Sequence, residues 1–392
     1  MPYNWHMVEK DREFDIIIVG AGPTGTSTAL HLAMLAPELV HRTLILEKET
    51  HPRHKLCGGG ILADGEIVLR RLGLDLAEVP HCDVDWAHFD FDGRGMKLRC
   101  EKDGEYAFRT IQREEFDAWL AGKARERGFR IEQGIKVAAV IQEPEQVRLE
   151  TSQGIYTAKV VVGADGSNSI IRRAVIPVEK VHSAKALEVV TPWVPDGSSH
   201  IQQDSYFDFW VVAEGIRGYT WDFPALRNGE MVRVRGVYDA NTGGMEPRIS
   251  LMKALEEELR RHGLDMREHK VEGHPIRWFE PKSTFSASRI LLVGDAAGTD
   301  ALYGEGISLA LGYGAIAAKA LQEAFAGNDF SFSGYKRVLM HSGMGRALRW
   351  RTWLAKVFYR FQSTRLQRFF WRRLGHAVTL VVRRVVIGWS GR

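Results

Sequence analysis

The chain has 392 residues, 45% hydrophobic and 26% charged, the balance of a folded globular protein and not of a disordered or collagen-like one. Its three cysteines, Cys57, Cys82 and Cys100, show neither paired metal-ligand spacing nor a disulfide framework, so a reducing compartment is expected and a zinc module or secreted disulfide scaffold is argued against. The net charge of +4 hides a segregation: residues 330–392 carry 14 Lys and Arg with no Asp or Glu, leaving 39 basic against 49 acidic residues elsewhere, which points to a separate partner for the tail.

Residues 1–13 lack the apolar core of a signal peptide, and no stretch reaches the ~18 uninterrupted apolar residues of a bilayer span. Residues 14–19 are a β-branched run that reads as a strand buried on both faces of a parallel sheet. The loop Gly20-Ala21-Gly22-Pro23-Thr24-Gly25 follows at once, and residues 26–35 read as a helix. Gly20 permits the tight turn, Gly22 lets the backbone approach a pyrophosphate, and Gly25 allows close packing of helix on strand. The loop, with Pro23 and Thr24, therefore offers free N–H groups and the positive end of a helix to phosphates. A second strand at 43–46 ends in Glu47, about 20 residues beyond the loop and placed to bond a ribose hydroxyl. Lys48 follows it and is counted among the nucleotide-binding residues.

Residues 84–110 read as short strands, with Trp86, Phe89 and Phe91, then Met96 and Leu98, alternating with charged residues around an Asp92-Gly93 turn. Residues 114–127 read as a helix, and 135–141, 146–150 and 155–162 as strands. The last of these runs into a second glycine segment, Gly163-Ala164-Asp165-Gly166. Residues 186–280 are rich in aromatic and β-prone types with turn signals at 195–197, 228–229 and 241–244, which predicts an antiparallel sheet in a separate layer. Residues 288–293 form a buried strand leading into Gly294-Asp295-Ala296-Ala297-Gly298, and 306–325 an Ala-rich helix.

In the tail, Trp350, Trp353, Leu354, Val357, Phe358 and Phe361 fall on one helical stripe flanked by Arg346, Arg349, Lys356 and Arg360. An aromatic and basic cluster follows at 369–373, and residues 378–389 are apolar but broken by Arg383-Arg384. Such helices can lie in a membrane interface, so a cytoplasmic protein bound peripherally to a membrane surface is expected. The alternative is a helix packed on the body with solvated arginines. Nothing points to nucleic acid or to a metal.

The three glycine segments, in this order, resemble the flavoprotein superfamily typified by p-hydroxybenzoate hydroxylase, over about residues 14–328. The resemblance implies FAD as cofactor, with Asp165 and Ala164-Gly166 near the pyrophosphate and Asp295, after Gly294, at the ribityl or ribose region. It also implies that Arg113, ahead of Phe116-Asp117, reaches the cofactor. No second dinucleotide loop is present, which fits a family whose NAD(P)H binds transiently; a reduced electron-transfer protein is the other expected donor. Within the superfamily, three features resemble the geranylgeranyl reductase branch: Arg53-His54-Lys55-Leu56-Cys57-Gly58-Gly59-Gly60, Tyr219-Thr220-Trp221-Asp222-Phe223-Pro224, and residues 300–307 ending Gly304-Glu305-Gly306-Ile307. Flavin halogenases carry a related motif ending Ile-Pro, so Phe223 discriminates.

The resemblance predicts an α/β chain. A Rossmann-type FAD-binding domain would comprise 14–78, 105–180 and 284–328; an antiparallel-sheet substrate domain, 79–104 and 181–283; a basic helical region, 329–392. Gly304, Glu305 and Gly306 would aim backbone N–H groups and a helix dipole at the flavin. Cys57 is either an active-site wall residue with a proton-donor or positioning role, or packing; Arg53 and Lys55 would meet FAD phosphate or the substrate's polar head, or solvent. Tyr219, Trp221, Phe223 and Pro224, with Trp210 in support, form the expected wall for an isoprenoid substrate, the alternative being an ordinary sheet core. The implied activity is saturation of isoprenoid double bonds. The competing readings are a flavin monooxygenase of an aromatic or polycyclic substrate and a flavin carrier without turnover.

Overall fold

Ile16, Ile17 and Ile18 are wholly buried in the strand Glu13–Val19, which puts the opening β-branched run at the centre of an eight-stranded sheet. The computed structural model describes residues 12–92, 94–99, 106–176, 183–193, 204–242, 246–373 and 388–391. Gly93, Cys100, the turn at 195–197, Gly243-Gly244 and Arg383-Arg384 lie outside the described residues. The strands Ile290–Leu292, Gly154–Gly163, Glu13–Val19, Thr43–Leu46 and Arg130–Glu132 run parallel in that order. Val147–Thr151 and Val137–Gln142 extend the sheet antiparallel from Gly154–Gly163. Parallel strands covered on both faces need apolar residues on both, so these sequences do not alternate.

The helices Pro23–Leu35 and Ile307–Gly327 lie against each other. A Cβ at Gly314 would stand 2.4 Å from Ser27 Oγ, which itself donates to the Leu311 carbonyl at 2.7 Å. The small residues of the second helix thus serve close approach, and both helix N-termini end up side by side.

The second sheet has seven strands, in the order Glu272–Arg277, Ser183–Pro192, Glu230–Asp239, Gly218–Arg227, Ser205–Asp208, Ala87–Phe91, Arg94–Leu98. All neighbours are antiparallel except Ser205–Asp208 with Ala87–Phe91. Trp86 falls just before its strand. A small sheet of Gly60–Ile61, Phe108–Ile111 and His81–Val84 joins the two layers. The expected boundary at 104/105 therefore runs through it, because residues 81–84 pair with 108–111.

The tail docks on the body. The helix Gly343–Phe358 turns Leu348, Arg351, Thr352 and Ala355 inward, and Phe358 and Trp371 pack their rings on Phe209. The expected single stripe is therefore split. Leu354 and Phe358 lie partly buried against the aromatic core, whereas Trp350 and Trp353 remain about half exposed, as does Phe361 beyond the helix end.

Candidate active site

One cavity of about 670 Å³ runs from the first glycine loop, past Asp165 and Asp295, along Gly304–Ile307, to the aromatic face of the second sheet. It is built where the two helix N-termini meet the strand ends. Gly20 has φ +108°, and a Cβ there would stand 2.4 Å from the Ala164 carbonyl oxygen; the first and second glycine segments touch. Gly294 has φ +59°, and its Cβ would meet Thr24 Oγ1 at 2.2 Å, which brings in the third. Gly22 and Gly306 differ from these. Both have negative φ, and a Cβ would meet no protein atom nearer than 3.6 Å and 3.9 Å respectively. Each caps a helix with no side-chain cap on its N–H groups. Uncapped donors facing room that the protein does not itself fill suit a bound anionic nucleotide. The chain's residues thus fit FAD.

The side chains around the loop are committed to one another. Glu47, expected to bond a ribose hydroxyl, accepts with Oε2 from the Ala21 N–H at 2.8 Å and with Oε1 from that of Glu49 at 3.1 Å, so its carboxylate braces the glycine turn. Asp165 Oδ2 accepts from the N–H groups of Ile170 and Ile171 and caps the helix Ile170–Val175; burial raises its pKa. Ser167 Oγ donates to Asp295 Oδ2 at 3.2 Å. Arg113 grips Asp117 with two bonds of 2.8 Å, and Arg53 reaches the same carboxylate at 3.0 Å. Burial opposes the Arg113 charge, but Asp117 beside it holds it protonated well above the usual range. Lys48 lies at the cavity rim, its side chain largely exposed. Lys55 bonds His274 at 2.9 Å, and burial together with that ammonium pushes His274 down to about 4. Cys57 lines the cavity with Gly58, its Sγ accepting from the Gly59 N–H at 3.4 Å.

The loop ahead of the helix Ile307–Gly327 is held from below. Tyr219, Tyr238 and Tyr359 donate their hydroxyls to the carbonyls of Tyr303, Ala301 and Leu302. Arg351, fully buried, pairs with both Asp300 and Glu305. Gly304, at φ +67°, is required because a Cβ would touch the Tyr238 ring at 3.0 Å. Its glycine thus serves the sheet below the loop, while Gly306 keeps the cavity side open.

Tyr219, Trp221 and Phe223 all face the cavity, joined there by Phe89 and Phe207. Two expected wall residues do not. Trp210 begins a short 3-10 turn after Ser205–Asp208, and its Nε1 donates to Glu258 on the far side of the sheet. Pro224 sits one residue out of phase with Phe223, and its carbonyl accepts from the Thr110 hydroxyl. Sequence reasoning gave no role to Asp117, His274, Asp300 or Arg351. Asp117 stood within the quoted Arg113 motif, and its spacing four residues after Arg113 was the available signal; Arg351 was hidden in a run of basic residues.

An uncapped double-glycine cradle, a third acidic glycine segment and an apolar extension define a flavin-nucleotide oxidoreductase. Residues 13–328 match the family model described as FAD binding domain, and the chain belongs to that family. It is similar to a digeranylgeranylglycerophospholipid reductase of Methanopyrus kandleri, at 29% identity over 83% of this chain and 81% of the relative. It shares its fold with a geranylgeranyl bacteriochlorophyll reductase-like protein of Thermoplasma acidophilum, with TM-score 0.78, 21% identity and coverage of 97% and 98%. The halogenase PltM in complex with phloroglucinol and FAD is a further fold neighbour, with TM-score 0.69, 17% identity and coverage of 94% and 80%. The protein is an FAD-dependent oxidoreductase. Among the described residues, no helix is long and apolar enough to cross a membrane and no group of three His, Cys, Asp or Glu could hold a metal.

Proposed function

We propose that this flavoenzyme saturates carbon–carbon double bonds of an isoprenoid chain carried on a lipid, quinone or pigment precursor. The observation that carries the reading is the continuity of one cavity from the nucleotide loop to the wall of Phe89, Phe207, Trp221, Phe223 and Tyr303. Each buried CH₂ contributes ~0.8 kcal/mol, so such a wall favours a long hydrocarbon over a polar aromatic. The name of the Methanopyrus relative supports the same substrate class. When bound, FAD supplies the hydride chemistry; the chain's residues bind, orient and exclude water. In this reading the three glycine segments with Glu47, Lys48, Arg53 and Arg113 hold FAD, and Gly304–Ile307 presents the uncapped helix end to it. NAD(P)H or a small electron-transfer protein reduces it. An oxygenating enzyme would share the nucleotide loops. Its discriminating behaviour is reoxidation that needs oxygen, so chemically reduced holoenzyme mixed anaerobically with a geranylgeranyl lipid is the test. Return of the oxidised flavin spectrum supports the reductase; return only on admitting air supports the oxygenase.

Trp221→Ala is expected to slow that anaerobic reoxidation at least about tenfold for a long-chain substrate while flavin content stays at the wild-type level. The wall residue would cost part of the few kcal/mol that burying an aromatic contributes. Loss of flavin from the variant would instead make Trp221 a core residue.

The tail is read as a membrane-surface element. Exposed Trp350, Trp353, Phe361, Leu366 and Phe369 interleave with exposed Arg349, Arg360, Arg365 and Arg368, with no acid in residues 330–392. Apolar rings flanked by cations suit an anionic headgroup layer. The double substitution Trp350→Ser and Trp353→Ser should weaken co-sedimentation with phosphatidylglycerol vesicles about tenfold; unchanged binding rejects the reading.

A further inference from the structure

The strand Ser183–Pro192 places one acid on the cavity face of the second sheet. Glu188 lies opposite Gly236 on one side and Glu272 on the other, and Gly236 lies opposite Trp221. These residues form one row across the sheet. A Cβ at Gly236 would stand 2.2 Å from Trp221 Cζ2, so the glycine is what lets the indole lie over its strand toward Glu188. Glu188 is 5% exposed, and no described residue donates a hydrogen bond to its carboxyl. Its Oε2 lies 3.8 Å from the place a Cβ on Gly58 would occupy, on the side where Phe223 meets the same glycine. Arg227, whose charge acts on Glu188, donates to the carbonyls of Cys57 and Ile111.

A carboxyl that is largely withdrawn from solvent and has no donor from the protein is costly to ionise, and this one opens onto cavity space. Glu188 lines both the main cavity and a second cavity of about 290 Å³. The outer boundary of the second cavity includes Gln112, Glu114, Lys270 and Glu272. The partition between the two is made of His54, Lys55, Leu56, Cys57, Arg113 and Glu188. Lys55 is held by His274 and Arg113 by Asp117. His54 faces Glu272 and Cys57 Sγ accepts from the Gly59 N–H, which leaves Glu188 as the group of the partition that faces both spaces with no hydrogen bond from a described residue.

We propose that Glu188 is the acid that protonates the substrate, reloaded with protons from the second cavity. The step rests on the reductase reading. A hydride from reduced flavin forms one new C–H bond at an alkene carbon. The alkene π pair takes the Glu188 proton to form the second, breaking the carboxyl O–H bond. The alkene is reduced by two hydrogens, the flavin is oxidised, and the Glu188 carboxylate recovers its proton from water in the outer cavity. Burial pushes the Glu188 pKa up to about 7, with Glu272 adding to the shift and Arg227 opposing it. An acid poised near neutrality both donates and reloads. The remaining titratable groups around it are His54, which faces Glu272, with Lys270 and Glu114 at the outer mouth.

Glu188→Gln preserves shape and removes the proton. FAD content should stay unchanged while anaerobic reoxidation by the prenyl lipid falls on the order of 10²-fold or more. The neutral acid is the active form, so the wild-type rate should fall as pH rises through about 7, whereas the variant should show no such limb and Glu188→Asp should recover part of the rate. A readout without turnover is the infrared difference between wild-type and Glu188→Gln holoenzyme. It should show a carboxylic acid C=O band that disappears above about pH 7. A variant that keeps the wild-type rate and profile, the absence of that band, or loss of flavin from Glu188→Gln overturns the proposal. A wild-type enzyme that never reduces an isoprenoid overturns the reductase reading and this step together; one that does, with a variant keeping pace, overturns this step alone.

Discussion

Gly25→Ala should bind FAD about ten- to a hundredfold more weakly than the wild type. Gly25 has an ordinary backbone conformation, so the effect is steric alone. A Cβ there would stand 1.9 Å from the Gly20 carbonyl oxygen and 3.2 Å from Ile18 Cγ2. The carbonyl has nowhere to go: Gly20 sits at φ +108°, its N–H donates to Leu46 at 2.7 Å, and its other side faces the Ala164 carbonyl. The helix Pro23–Leu35 must therefore move off the strand Glu13–Val19, taking its uncapped N–H groups with it. Overpacking of this kind costs ~1–3 kcal/mol, and each 1.4 kcal/mol is about tenfold in affinity. Flavin titration by absorbance or fluorescence quenching measures it. Gly122→Ala, inside the helix Arg113–Glu126 with nothing within 4 Å, should bind FAD as the wild type does and melt slightly higher. Equal affinity in Gly25→Ala would show that the strand–turn–helix packing does not form the cradle.

Arg351→Met should lose about 3–5 kcal/mol of stability, the cost of breaking a fully buried ion pair by removing one partner. Arg351 and Asp300 are completely buried and Glu305 nearly so. The cation comes from the helix Gly343–Phe358, outside the FAD-binding segment 13–328, and reaches under the loop that precedes Gly306. Without it Glu305 keeps its burial and loses its counter-charge. Burial already raises the Glu305 pKa, with Arg351 opposing that rise. In the variant the folded state binds the Glu305 proton more tightly than the unfolded chain does. A raised carboxyl contributes stability below its unfolded pKa and loses it as pH rises. The deficit in denaturant midpoint should therefore be largest at neutral pH and shrink as pH falls toward the carboxylate range. Adding Glu305→Gln should recover part of it. A variant that unfolds as the wild type does at pH 7 would contradict the arrangement.

How much of this was legible in the sequence follows from where each signal resides. The opening strand, the glycine loop and the helix behind it are local: β-branched residues, a turn glycine and Pro23 sit within one stretch, and the structure follows them, the strand starting one residue and the helix three residues earlier than expected. The convergence of Gly20 on Ala164, and of Gly294 on Thr24, is not local, and only the resemblance made it readable. The second sheet was legible as a class and not as a register. Alternation put Tyr219, Trp221 and Phe223 on one face, but Trp210 failed because the strand ends at Asp208 and Phe209 leads the chain into the 3-10 turn that begins at Trp210. Pro224 failed on phase alone. Glu188 could not be found from sequence, because its value lies in the neighbours that register supplies, Gly236 and Glu272. Arg351 looked like one more cation in a basic tail. Its role depends on a helix turning that side inward onto two acids some fifty residues earlier, which composition does not reveal.

Mass analysis of a geranylgeranylated lipid after incubation with FAD-loaded protein and a reductant tests the central claim most directly. The account predicts products heavier by two hydrogens for each double bond removed, formed without oxygen. A product heavier by one oxygen atom, or an untouched prenyl chain beside a fully reducible flavin, would contradict it.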